Sequence, residues 1–374
     1  MKRKIKWLAV TAIVISLLVF GKLLPAEPLS QRAIVVGFGI DAEDDDTLSV
    51  SAQILNPGAK ADQSGAETNV VTVKDKTISG AMGKISERSS KTVALTHCNV
   101  VFIHKKIAEN NDIYSVINYL ITNSYLSENA YLFLTEEKSE KLLNSKTAFG
   151  NNASLYMQSL VGINGDFSAI ASKTLQCFVV GYHSLGATNW LPILKLEEVT
   201  PKQSDNESDD SEYVFNANSV AVFRKNRLVG SYEKDCTQAL TYINSKVKKG
   251  QLFVKGDNDE NILLYVIGNS VKKSFDLDTK TATVKLKLNC ILKEIIDVGD
   301  EDKYIDRTEM SEDEIKRVEN DVKENIVRFY TEMQSKEVDL YNFLESFNSK
   351  FGKKAKDLKI SDVNLSLDVT LEYD

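Results

Sequence analysis

At 374 residues, with 43% apolar and 26% charged side chains, the chain is long enough for two or three cored domains and too apolar to be disordered throughout. The net charge of −7 is unevenly placed: five basic residues precede the first acid, Glu27, leaving 41 basic against 53 acidic residues, or −12, beyond it. A body that acidic excludes nucleic acid as the main partner, because phosphate binding gathers Lys and Arg on one face.

Residues 1–26 read as a targeting segment. Lys2, Arg3, Lys4 and Lys6 precede "WLAVTAIVISLLVFG", a stretch without charge that the positive-inside rule orients with the N-terminus in the cytoplasm. Continued through Leu23 and Leu24 to Ala26, with Lys22 snorkelling, the helix reaches about 30 Å, the thickness of a hydrocarbon core. A retained transmembrane anchor and a cleaved signal are both open, and either exports the body.

The body begins with "GFGIDAEDDDTLSVSAQILNP" from Gly37 to Pro57. A dinucleotide fingerprint would need a third glycine where Ala42 stands and a helix afterwards. A calcium loop counted from Asp41 would need Gly and Glu where Asp46 and Ala52 stand. Instead Leu48, Val50, Ala52 and Ile54 alternate with polar residues, so the spacing predicts strands over 33–40 and 48–55 around a solvated acidic turn. Gly37 and Gly39 then mark a bulge or a close approach of backbone.

Strand and helix alternate from there to about residue 200. "TNVVTVKD" predicts a strand, and the following helix has Ile78, Ala81, Met82 and Ile85 on one face. "LTHCNVVFIH" reads as one strand, "NDIYSVINYLITN" as a helix with apolar positions 113, 116, 117, 120 and 121, and "AYLFLTEE" as a strand before the short helix "KSEKLLNSK". Residues 150–175 are expected to be helical, "LQCFVVGYHS" sheet-like, and "NWLPILKLEEV" a closing strand. Residues 203–212, "QSDNESDDSE", hold five acids and no apolar side chain, so they form a linker or a long exposed loop.

After this segment, "SVAVFRKNRLVGSY" predicts two strands around a turn, and "KDCTQALTYINSKVKKG" a helix ending at Gly250. Three strand-like stretches come next, the last with Ala282, Val284, Leu286 and Leu288 alternating. "SEDE" at Ser311 is a capping box. The helix it starts carries Ile315, Val318, Val322, Ile326, Tyr330 and Met333 in a stripe, continues through Leu340, Leu344 and Phe347, and stops at Gly352. The final stretch alternates from Val363 to Tyr373. The fold class is α+β, mixed α/β, with mixed sheets flanked by helices: an anchor or signal at 1–26, an N-terminal domain at 27–201 and a C-terminal domain at 202–374.

No chemistry stands out. A nucleophile needs a base, and only His97, His104 and His183 exist. No HExxH, GxSxG, Walker loop or metal-spaced Cys/His cluster occurs, so no catalytic, cofactor or metal site is expected. Cys98, Cys177, Cys236 and Cys290 are far apart and read as buried free thiols. The lysines of "KFGKKAKDLK", 350–359, read as a solvated helix end, with contact to lipid headgroups or an acidic partner as the alternative.

In order, "AIVVGFGID" with "VSAQILNP", "TISGAMGKIS" with "LTHCNVVFI", "VAVFRKNRLVGSY", the helix from Ser311 and the terminal strand resemble the Ger(x)C family, the C subunits of spore germinant receptors. "VAVFRKNRLVGSY" is similar to the family's AvFk, short turn and lvG. The resemblance implies a non-enzymatic extracytoplasmic subunit in spore germination, assembled with a multi-span A-type and a transporter-like B-type membrane subunit, without catalytic residues. Family members typically carry lipid on a cysteine after a Leu-x-Gly box. Here Lys22 follows Gly21 and no cysteine precedes Cys98, so the helix itself would have to anchor. The other readings are an anchored adaptor of another envelope complex and an exported hydrolase using His97 or Cys98.

Overall fold

A computed structural model of the chain describes residues 6–7, 10–16, 31–56, 67–122, 125–147, 152–163, 167–199, 213–256, 260–296 and 309–373. Residues 10–16 are helical, and among the described residues no helix is long and apolar enough to cross a membrane. Most of the segment read as an anchor, and all of the acidic stretch 203–212, lie outside the described residues.

The first half of the body opens with β1 (Arg32–Ala42), β2 (Leu48–Leu55) and β3 (Thr68–Asp75), then α1 (Ile78–Ser89). Short β4 (Thr92–Ala94) and β5 (Val100–His104) lead into α2 (Lys105–Glu109) and α3 (Ile113–Thr122). β6 (Tyr131–Thr135), α4 (Ser139–Asn144), α5 (Ala153–Gln158), α6 (Leu175–His183) and β7 (Thr188–Glu198) come after them. β8 (Tyr213–Arg224) and β9 (Arg227–Tyr232), from beyond the acidic stretch, continue the same sheet, whose order is β3-β2-β1-β5-β6-β7-β8-β9 with β4 beside β1. The pairs β1–β5, β5–β6 and β6–β7 are parallel, and the outer pairs β2–β3, β7–β8 and β8–β9 are antiparallel.

The central strands of this sheet are apolar at nearly every position because both faces are covered, as parallel sheets require. Val101 and Ile103 of β5 pack with α1, α3 and α6, while Val100 and Phe102 pack with Leu142 of α4 and Met157 of α5.

The second sheet lies beyond α7 (Lys234–Asn244) and has the order β10 (Gly250–Lys255), β11 (Asn261–Asp276), β12 (Thr281–Ile296), β13 (Asn364–Tyr373). β12 and β13 run parallel, Val284 beside Leu367, and their crossover contains α8 (Glu312–Ser335) and α9 (Phe343–Phe351). One face packs on the stripe Val318, Val322, Ile326, Tyr330 and Met333 of α8, in a core that also takes in Trp190, Val220 and Val222 of the larger sheet. The other face is open to solvent and carries the exposed side chains of Phe253, Tyr265 and Ile267.

Five local expectations need correction. The strand read over 95–104 begins only at Val100, because Thr96 and His97 form a turn that drops Cys98 into the core. "LQCFVVGYHS" is helix α6: the Thr174 hydroxyl accepts the Cys177 N–H at 3.3 Å, a start signal that outweighs the β-branched composition. The helical expectation for 150–175 holds for α5 and the π-turn Ser159–Ile163 but not for 167–174. α7 stops at Asn244, and Gly250 opens β10 instead of closing the helix. The helix from Ser311 is two: Glu337 and Asn342 take left-handed conformations, and the turn between α8 and α9 buries Val338, Asp339, Leu340 and Tyr341 in succession. At the side-chain level, Ile121 of α3 and Cys177 are exposed and Cys236 is half-buried, whereas Cys98 and Cys290 are buried as expected.

Candidate functional site

The opening motif folds into a knot of contacts under β1. A bulge lies between Val35 and Gly37. A Cβ on Gly37 would come within 1.8 Å of the Ser154 hydroxyl, and one on Gly39 within 2.1 Å of Ser139 Cβ, so α5 and α4 approach the strand as only glycine permits. The Ser154 hydroxyl donates to Gln53 Oε1 at 2.6 Å, and Gln53 Nε2 donates to Leu143 O at 2.9 Å. Two positions beyond Gly39, Asp41 is 1% exposed and caps α4: the Ser139 N–H reaches both carboxylate oxygens at 3.1 Å, and its hydroxyl donates to Oδ1 at 2.9 Å. Burial pushes the Asp41 carboxyl up, against the pull of those hydrogen bonds. The acidic turn after it is tied down by lysines rather than merely solvated: Glu43 pairs with Lys138 at 3.0 Å and Lys74 at 3.3 Å, and Asp44 with Lys106. Gly37, Gly39, Asp41, Glu43 and Asp44, which could suggest a phosphate cradle or a calcium loop, are thus engaged by the protein itself.

The candidate nucleophile and bases do not converge. Cys98 is fully buried, its Sγ–H donates to Val100 O at 3.3 Å, and burial pushes the thiol up to about 12, so it holds no thiolate at neutral pH. His97 is exposed in the turn. His104 ends β5, with Nε2 3.2 Å from Glu136 O and Nδ1 buried without a hydrogen-bond partner among the described residues. His183 lies at the far end of α6, edge-on to Tyr182. Among the described residues no three His, Cys, Asp or Glu side chains are placed to hold a metal ion. Of the 350–359 lysines, Lys350 donates to Phe275 O at 2.8 Å and the others are exposed.

The groups that sequence reasoning missed lie where the two sheets meet. Asp339 is buried in the α8–α9 turn and accepts the N–H groups of Phe343 at 2.8 Å and Leu344 at 2.9 Å, capping α9. Burial pushes its carboxyl up to about 6, against those hydrogen bonds and nearby Lys273. The Asp339 N–H donates to the Thr188 hydroxyl at 3.1 Å, joining this turn to β7. Lys173, buried beside the start of α6, stacks on Trp190. Neither residue sits in a periodic pattern that would mark it. A basic cleft formed by the β8–β9 turn and the end of α8 contains Arg224, Lys225, Arg227 and Lys336, of which Arg224 pairs with Glu337 at 2.5 Å.

These features define a two-sheet α+β protein whose most marked sequence motif serves packing and capping. Comparison with known proteins refines that class. The family described as "Spore germination protein N-terminal domain" matches residues 25–196, and the one described as "Spore germination B3/ GerAC like, C-terminal" matches 218–373. The chain belongs to the GerAC-like family of spore germination proteins. Spore germination protein KC of Bacillus subtilis (strain 168) is 22% identical over 241 residues, 59% of this chain and 57% of that protein. Spore germination protein A3 of the same organism is 26% identical over 123 residues, 32% of this chain and 33% of that protein. The matched stretches thus span between a third and somewhat over half of these curated relatives. The crystal structure of the GerBC protein aligns over 90% of this chain and 96% of that one, with 14% identity and a TM-score of 0.47.

Proposed function

We propose that the protein is the non-enzymatic, extracytoplasmic C subunit of a spore germinant receptor, held at the membrane by its N-terminal helix and assembled with an A-type and a B-type membrane subunit. The observation that carries this reading is the pair of family matches, in order along one chain, over residues 25–196 and 218–373. The burial and raised pKa of Cys98, and the separation of the three histidines, support a binding or assembly role over hydrolysis. The uncharged run behind four basic residues supports attachment at the membrane with the body outside. A division of the sequence near residue 202 belongs to the same proposal and rests on the composition of 203–212, with β8 and β9 beyond it completing the larger sheet.

The reading is tested by affinity purification of the tagged full chain from detergent-solubilised spore membranes. A multi-span A-type and a transporter-like B-type subunit should co-purify in fixed ratio, and spores lacking the chain should lose their response to a nutrient mixture. Recovery of the chain without either subunit, together with an unchanged nutrient response in its absence, would refute the assignment.

A further inference from the structure

The cleft between α6 and the start of α9 is lined by a buried lysine that makes no ion pair among the described residues. Lys173 is 9% exposed, and its ammonium lies 3.6 Å from the centre of the Trp190 ring. Its backbone is fixed, since Lys173 O accepts the Leu132 N–H of β6 at 2.9 Å and the next residue caps α6. No carboxylate pairs with it among the described residues, and the thiol of Cys177, one helical turn on, is its electrostatic neighbour. Burial pushes the ammonium down to about 8, so at neutral pH it still carries its charge in a poorly solvated place. The face of Trp190 offsets part of the lost solvation, but an aromatic quadrupole does not replace a counter-ion.

Lys173 lines an open cleft of about 690 Å³, the volume of a small-molecule site. Ser184, Thr188 and Asn342 also line it, with the Ser184 and Thr188 hydroxyls donating to Gly181 O at 2.7 Å and Gly186 O at 3.2 Å, and Val180, largely exposed, supplies an apolar wall. Glu345 also lines the cleft, with Oε2 accepting the Leu185 N–H at 3.3 Å. Its charge disfavours a multiply charged anion while leaving room for a single one at the Lys173 side.

We propose that this cleft binds a small aliphatic monocarboxylate, its carboxylate paired with the Lys173 ammonium and its alkyl part against Val180. The site joins the two sheets, because α6 and Thr188 belong to the larger and Asn342 and Glu345 to the helix beside the smaller. The proposal stands apart from any assignment of receptor partners.

The test uses the detergent-solubilised full chain with butyrate as the probe and inorganic phosphate as the comparison. Calorimetric titration should give saturable butyrate binding that is weakened at least tenfold in Lys173→Met, which keeps the alkyl stem and removes the charge. Butyrate should also slow acetic anhydride labelling of Lys173, read by peptide mass spectrometry, without slowing that of exposed Lys353 and Lys356 in the same sample. The labelling arm needs no variant, so it decides the matter even if the methionine protein does not fold. Absent saturable binding, equal binding by both proteins, unprotected Lys173, or phosphate bound more tightly than butyrate would each overturn the proposal.

Discussion

Asp41 and Asp339 are both buried carboxylates at helix starts, and they differ in what surrounds them. Asp41 accepts three hydrogen bonds from Ser139, whereas Asp339 accepts two backbone N–H groups and lies within reach of Lys273 and Glu345. With its folded pKa raised from the ordinary 3.8 to about 6, Asp339 holds, between about pH 4 and 6, a proton that the unfolded chain has released. Its protonation therefore favours folding fully below about pH 4, and this contribution is lost as pH rises through about 6, a swing of roughly 3 kcal/mol. Wild type and Asp339→Asn, unfolded in urea from pH 4 to 7, should differ by an amount that changes in that direction; a constant difference would sink the assignment. At Gly39 the argument is steric. Gly39→Val drives two methyl groups toward Ser139, and the unfolding free energy should fall by about 3 kcal/mol with no change in ligand content. Unfolding at the wild-type midpoint would show that α4 can withdraw from β1. The need for glycine could be read from the sequence as a close approach, but Ser139, the residue it approaches, could not, since it lies about 100 positions away in a segment with no matching pattern.

Elements with a period and a stop signal were legible; those decided by tertiary contacts were not. β1 and β2 form where the sequence places them, although the alternation over 48–55 marks a half-buried strand and Ser49, Ser51 and Gln53 are buried too, and the capping box at α8 is present as the spacing predicts: Ser311 Oγ accepts the Glu314 N–H at 3.1 Å and the Ser311 N–H donates to Glu314 Oε2 at 2.8 Å. Removing that hydroxyl with Ser311→Ala should lower stability by about 1 kcal/mol, measured by denaturant midpoint with the slope unchanged. A loss near zero would mean that Glu314, buried at the helix start, holds the turn alone. By contrast, the break between α8 and α9 has no glycine or proline to announce it. It exists because Tyr341 fills the core, its hydroxyl donating to Ala239 O of α7 at 3.2 Å, and because Asp339 caps α9. The helical state of α6 is hidden because Phe178, Val179, Val180 and Tyr182 are aromatic or β-branched, while the deciding signal is the single hydroxyl of Thr174.

For the whole molecule, the two sheets share one core through Trp190, Val220 and Val222, so strands from both sides of residue 202 stabilise each other. The family likeness was legible because its motifs mark turns, caps and close approaches that any chain with this fold must satisfy; the lysine cleft was not, because a lone Lys173 carries no pattern. The attachment proposal is open to its own test. Lys22 follows Gly21, and an amine side chain cannot form the thioether of a lipidated cysteine, so on this proposal the apolar run holds the body to the membrane. A spanning helix of some 20 residues is retained almost irreversibly, whereas a cleaved signal releases the protein. The mature chain should keep Met1 or Lys2, remain with membranes after high salt and carbonate, and take up no labelled fatty acid. Replacing Val14 and Leu17 with Lys should prevent insertion, since each charge near the centre of the span costs about 2.5 to 3.5 kcal/mol. An N-terminus at Lys22 or Glu27 in the mature protein would overturn the anchor, and attachment would then have to come from the partner subunits alone.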